Sequence, residues 1–535
     1  MGNRLQVWNA VELTFEAERE TERPYAELAM TVAFVSPSGR RLETVGFWAE
    51  GRRWLARFAP DEAGAWRWSS SSADGGLGGK EGAFDVDPYE GEHRLYRHGF
   101  IGVHPSGRAF AHADGTPFFW LGDTVWSAPA HATLEEWQRY VAYRGGQGFN
   151  VAQINALPQW DASGAPLRLP FERRDDGTYD LTAPNPDYFR TLDVIVAASA
   201  AAGLVPAIVA LWFNYVPGTN LNWDFEVDRP FVFDPASASR FATFLAARYA
   251  AFGAVWLVSG DTDFARPETM PVYDAAAEAI RSASPYPPLL TVHMVGGLST
   301  PELANEKPWL SFHMYQSGHS GKSARTARRQ AAADRAYEPA RPVLNGEPCY
   351  EHIRIGDDGG RTSDRAYVRR VEWASALTGG NAGLAYGAHG LWPWHREGHP
   401  YEFPLYGDPL PWETALRLEG GADAVRLKTF LSALPWWALE PRDDATAEPA
   451  PVELAAAGTP DGDVAALYVS SPCRLELPIA ADRAYEGEWF DPATGRTTAA
   501  DVGVARRGEG AVLVVEPHAW DGDAALTIRR TEANR

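Results

Sequence analysis

From about residue 96 to residue 436 the chain repeats one pattern eight times: a short apolar run, followed by a helical or polar segment. The runs fall at 117–121, 149–154, 205–211, 254–259, 288–292, 309–314, 342–345 and 383–386. Each reads as a buried strand. Helix signals lie between them. Thr133-Leu134-Glu135-Glu136 matches a capping box. Asn185-Pro186 opens a helix that Gly203 closes, and Asp234-Pro235 opens one that Gly253 ends. A further helix starts near Ser363 and stops at Gly379-Gly380. Eight strands alternating with helices fit a (β/α)8 barrel of the α/β class. A doubly wound sheet gives similar alternation, but it would not place polar residues after nearly every strand.

The flanks differ. Residues 1–95 carry frequent strand-like runs without helices, such as 28–35, closed by the turn Ser36-Pro37-Ser38-Gly39. Residues 437–535 show the same habit, with Asp/Gly/Pro turns. Both read as small β-sandwiches, so the expected order is sandwich (1–95), barrel (96–436), sandwich (437–535).

The formal net charge of −21 argues against nucleic acid as a partner, since phosphate backbones demand clustered Lys and Arg. The first residues lack the apolar core of a signal peptide, and no run of about 18 apolar residues occurs. No membrane association and a cytoplasmic location are the expectations. The two cysteines, Cys349 and Cys473, have no metal-ligand spacing. A buried free thiol at Cys349 is expected, and no cofactor. The 21 Trp suit stacking on sugar rings as well as ordinary packing. A homo-oligomer is left open.

Two runs end in carboxylates. Ala254-Val255-Trp256-Leu257-Val258-Ser259-Gly260 leads to Asp261, and Pro342-Val343-Leu344-Asn345-Gly346 leads to Glu347. The carboxyl ends of barrel strands form the catalytic face. Strands four and seven lie across that mouth from one another, so these side chains can converge. A carboxylate pair of this kind cuts glycosidic bonds, with Glu347 as nucleophile and Asp261 as acid/base. Asp263 is the alternative acid. Other strand ends offer Asp123, Trp126, Asn155, Trp160, Trp212, Asn214, His293, His313, Tyr315, His389, Trp392 and Trp394 as sugar-binding groups. Tyr315 is expected to hydrogen-bond Glu347. Trp126, Trp160, Trp212, Trp392 and Trp394 are expected to form an aromatic wall. Two rival functions remain. One is a metal-dependent hydrolase using Asp261 and Asp263, and the other is a carbohydrate-binding protein without activity.

The segment His112-Ala113-Asp114-Gly115-Thr116-Pro117-Phe118-Phe119-Trp120-Leu121-Gly122-Asp123-Thr124-Val125-Trp126 resembles the opening of the apiosidase-like glycoside hydrolase catalytic domain. Ser259-Gly260-Asp261 and Asn345-Gly346-Glu347 resemble that family's acid/base and nucleophile segments. Phe58-Ala59-Pro60-Asp61-Glu62-Ala63-Gly64-Ala65-Trp66 is similar to the sandwich that often precedes the barrel. The last domain resembles a sandwich type labelled collagen-binding; a structural role is the reading adopted. The resemblance implies a clan A barrel with retaining chemistry, and the leading reading is a glycosidase for a short neutral oligosaccharide or glycoside. Exo action is expected, with a furanoside as one candidate substrate. Clan A barrels usually carry Asn-Glu at the acid/base position, where this chain has Gly260-Asp261.

Overall fold

The computed structural model describes residues 5–220, 227–401, 403–480, 483–507 and 510–531. Eight parallel strands close into a barrel. They are β1 (Trp120–Thr124), β2 (Val151–Asn155), β3 (Val205–Trp212), β4 (Val255–Thr262), β5 (Leu290–Met294), β6 (His313–Gln316), β7 (Val343–Glu347) and β8 (Gly383–Tyr386). β8 pairs with β1 to complete the ring. Nearly every residue of these strands is buried, because helices cover the outer face while side chains fill the interior.

The main outer helices are α1 (Leu134–Gln147), α2 (Pro186–Ala201), α3 (Pro235–Tyr249), α4 (Thr269–Ala283), α5 (Ser323–Arg335), α6 (Arg365–Leu377) and α7 (Gly420–Ser432). Thr133 caps α1 through a complete capping box with Glu136, and Asp234 caps α3 with Ser237. Both caps satisfy backbone N–H groups that a helix start leaves unpaired.

Two strands sit differently from their sequence expectation. β1 begins at Trp120, and Pro117–Phe118 instead forms the edge of a small antiparallel sheet with Phe110–His112. Proline has no N–H to give a ladder, so an edge suits it. β6 begins at His313 rather than ending near it. The preceding Trp309 donates its indole N–H to Asp274 of α4, which holds that stretch beneath the barrel.

The N-terminal sandwich packs a three-stranded sheet on a four-stranded one. Its core contains Phe34 and Phe58, stacked 4.1 Å apart. Buried Arg57 ties it to the barrel by pairing with Asp193 of α2, which also receives Arg248 of α3. The C-terminal sandwich joins a six-stranded and a four-stranded sheet. One face of the larger sheet continues the barrel core: Tyr468 stacks on Trp373 of α6 at 5.4 Å and 9°.

Candidate active site

Glu347 ends β7 within a local irregularity. Met314 pairs with Leu344 and Tyr315 with Asn345, but Gln316 pairs with Glu347, so Gly346 is an extra residue. Alternation alone would put Glu347 on the same side as Asn345, which faces outward to Ser317 and Ser375 of α6. The bulge re-aims Glu347 into the mouth. Only glycine fits there, since a Cβ would lie 2.3 Å from Met314 Cγ.

Asp261 lies in a comparable slip. Between Ser259 and Thr262 the pairing of β4 with β5 shifts, and Asp261 takes φ +50°. That left-handed conformation is uncommon for a residue with a side chain, and Asp tolerates it better than most. Asn220 holds the turn: its amide donates to Asp261 O at 2.5 Å, and its carbonyl accepts from Asp263 N at 3.0 Å. Gly260 makes room for Trp212, whose ring would lie 2.0 Å from a Cβ at that position.

Carboxylate oxygens of Asp261 and Glu347 and a ring nitrogen of His293 lie within 4.8 Å of one another. Glu347 is buried and accepts three N–H groups. His319 Nε2 reaches Oε1 at 3.0 Å, while His293 Nε2 and Trp126 Nε1 reach Oε2, each at 3.2 Å. His319 Nδ1 accepts from Tyr350 N, which leaves the proton on Nε2, facing Glu347. Burial pushes the Glu347 carboxyl up, but the hydrogen bonds of His293 and His319 outweigh it and hold the group low. Asp261 is pushed well above the usual carboxylate range by burial, then by the charges of Glu347 and Asp161. One shared proton therefore belongs on Asp261 while Glu347 stays ionised.

Of the remaining candidates, Trp126, Trp212 and His293 border the dyad. The Trp126 ring lies 5.5 Å from Trp212 and 5.3 Å from His293. Asn155 is tied to the same corner, its backbone N–H donating to Trp126 O. Trp392 packs near Tyr350 and Tyr406, and His389 supports it by accepting its indole N–H while facing Gly407 O. Half-buried Trp160 packs against Phe213 and Phe403.

Five candidates do other work. Asp123 pairs with Arg144 at 2.7 Å, both wholly buried, and accepts from Tyr140, so it faces α1 rather than the mouth. His313 stands at the start of β6 and stacks on Tyr337. Tyr315 points outward among Ala327, Ala331 and Val343, with no contact to Glu347. Trp394 stacks on Trp412 and donates to Glu136, behind the site. Asn214 donates to Asp228 O and fastens a loop. The aromatic wall thus lacks Trp394. Asp263 accepts from Ala265 N beyond the mouth.

Sequence reasoning missed His319, Tyr350, Tyr406, Asp161 and Asn220. All lie beyond the strands, in loops or, for Tyr406, a short 3-10 turn, where short apolar runs give no signal. Cys349 is buried and unpaired, its thiol pushed up to about 12 by burial.

Residues 104–438, more than half of the chain, match the apiosidase-like catalytic domain. The chain belongs to the apiosidase-like family. It is a glycoside hydrolase. Residues 4–73 match a domain of unknown function, DUF5060. Among solved structures, a Bacteroides vulgatus protein described as a glycoside hydrolase is 19% identical, covers 99% of this chain and 100% of its own, and superposes with a TM-score of 0.74. A glycoside hydrolase family 5 protein of the same bacterium is 22% identical, covers 81% and 94%, and gives 0.67. At such identities the likeness establishes the shared fold. No curated protein matches the chain. Among the described residues no helix is long and apolar enough to cross a membrane.

Proposed function

We propose that this apiosidase-like enzyme is a retaining glycosidase that removes a terminal sugar from a short neutral oligosaccharide or glycoside. The observation that carries the reading is the opposite pull on two neighbouring carboxyls. Glu347 is held ionised by three N–H donors, and Asp261 is held protonated less than 5 Å away. Retaining enzymes keep their carboxyls about 5–5.5 Å apart, inverting ones about 6.5–9.5 Å.

In the first step Glu347 attacks the anomeric carbon while Asp261 gives its proton to the departing oxygen. The bond to the leaving group breaks and a glycosyl ester forms on Glu347. Asp261, now ionised, takes a proton from water as that water attacks the same carbon, and Glu347 is released. Rings from the end of β3 and from the loops after β1 and β7 pack beside the dyad, and a terminal sugar suits such a site. Among the described residues no Lys or Arg bonds to either carboxylate, which suits a neutral sugar.

A divalent cation held by Asp261, His293 and Glu347 is the rival. His293 Nε2 faces Glu347 Oε2 at 3.2 Å, a separation that suits a hydrogen bond and two ligands of one cation alike, so experiment separates the two readings. The test uses an aryl glycoside that the wild type hydrolyses. Glu347→Gln should lower kcat by about 10⁴-fold or more, as loss of a catalytic nucleophile does. Asp261→Ala should lose much less with a good leaving group than with an alkyl glycoside, and azide should restore part of the rate. Loss of activity to a chelator with Glu347→Gln still active would replace this reading with the metal hydrolase.

A further inference from the structure

Buried polar atoms without a hydrogen-bond partner are scarce in native proteins, and each calls for a reason. Several gather at this barrel mouth: Asn155 Oδ1, Asp161 Oδ1, Trp212 Nε1, Asp261 Oδ1 and the Tyr401 hydroxyl. The proton chemistry accounts for Asp261. The others comprise a pure donor in Trp212, an acceptor in Asn155, a carboxylate, and a phenol that does both. Sugar hydroxyls each donate and accept, so a ring bearing several of them is the complement of such a set.

Asp161 meets Gln159 through its carboxyl, yet its Oδ1 has no partner. Its loop, 156–170, is pinned on several sides. Tyr215 donates to Pro158 O at 2.6 Å, Gln159 meets Ser127, and Ser163 reaches His395 at 2.6 Å. Among the described residues no Lys or Arg pairs with it. It is close enough to the dyad for its charge to act on Asp261 and for that of Glu347 to act on it. Tyr406 feels all three carboxylates, and Tyr401 feels Asp161 and Tyr406. Burial, supplemented by Glu347, pushes Asp161 up to about 7. A carboxyl with one oxygen unsatisfied beside the dyad rewards a sugar hydroxyl that can bond it.

We infer that Asp161, seconded by Tyr401, is the specificity-determining carboxylate of the sugar subsite and accepts a hydrogen bond from one hydroxyl of the terminal sugar. This rests on the glycosidase reading above. A site built to bond a hydroxyl penalises its absence heavily, because its own polar groups are then left unpaired.

The experiment pairs enzyme and substrate changes. A panel of 4-nitrophenyl glycosides of neutral pentoses and hexoses identifies a substrate whose turnover Glu347→Gln abolishes. The monodeoxy forms of that substrate are then compared on wild type, Asp161→Ala and the isosteric Asp161→Asn. Asp161→Ala should lower kcat/KM on the parent by about 10²-fold, in the range of a lost hydrogen bond to a charged group. On one monodeoxy form, and only one, wild type and Asp161→Ala should agree within about threefold. Tyr401→Phe should show a smaller loss with the same pattern. Equal losses on every monodeoxy form, or no loss on the parent with either Asp161 variant, would overturn the assignment while leaving the dyad intact. Absence of any Glu347-dependent turnover would overturn both.

Discussion

Glu347 and Asp261 are chemically similar acids in one mouth, and their neighbours pull on their protons in opposite directions. Three N–H donors surround the first, whereas an oxygen of the second is shielded without a partner. The opposite fate of Asp123 shows how little a strand-end acid means by itself. Its neighbour Arg144 sits one turn from the end of α1 and reaches back to it in the dry space between strand and helix. Asp123→Ala would strand that guanidinium. Removing one partner of a buried pair costs about 3–5 kcal/mol, so the urea midpoint should fall sharply while kcat/KM of the folded enzyme holds. A selective loss of kcat/KM with unchanged stability would return Asp123 to the substrate site. The acids at 261 and 347 were legible in the sequence because short strands precede them. Asp123 was misread for the same reason, since its partner lies 21 residues away and only packing reveals it.

At the scale of elements, the alternation of strand and helix was legible throughout the barrel, and the resulting ring is closed as the pattern implies. What periodicity concealed were the two slips that aim the dyad. A two-residue repeat applied to β7 sends Glu347 outward with Val343 and Asn345. The bulge at Gly346 reverses it, and the sequence marks the bulge only by a glycine. Misplacing β6 by a few residues had the same kind of cost: it turned His313 and Tyr315, whose side chains face away from the barrel interior, into site candidates. Gly346→Ala would press a methyl on Met314 Cγ. Overpacking of this kind costs about 1–3 kcal/mol. The larger effect should be on kcat, since a shift of about 1 Å in a catalytic group can cost about 10²-fold. Crystallography of the variant together with its kcat checks this; an unmoved Glu347 with a normal rate would show that the bulge does not aim the proposed nucleophile.

Across the whole molecule, the sandwiches are built into the barrel's outer surface rather than strung from it. Arg369 of α6 bonds both Asp423 of α7 and Asp523 of the C-terminal sandwich, and Tyr468 donates to the same Asp523. At the other end Tyr286 meets the backbone of Ala59 through both its N–H and its carbonyl, each at 2.6 Å. These contacts fasten both sandwiches to the outside of the barrel, while the paired carboxyls stand on β4 and β7. The central claim is double displacement through Glu347, and the product's stereochemistry tests it most directly. Proton NMR of the first sugar released by the wild type, recorded before mutarotation, should show the same anomeric configuration as the substrate. Release of the opposite anomer would contradict the account.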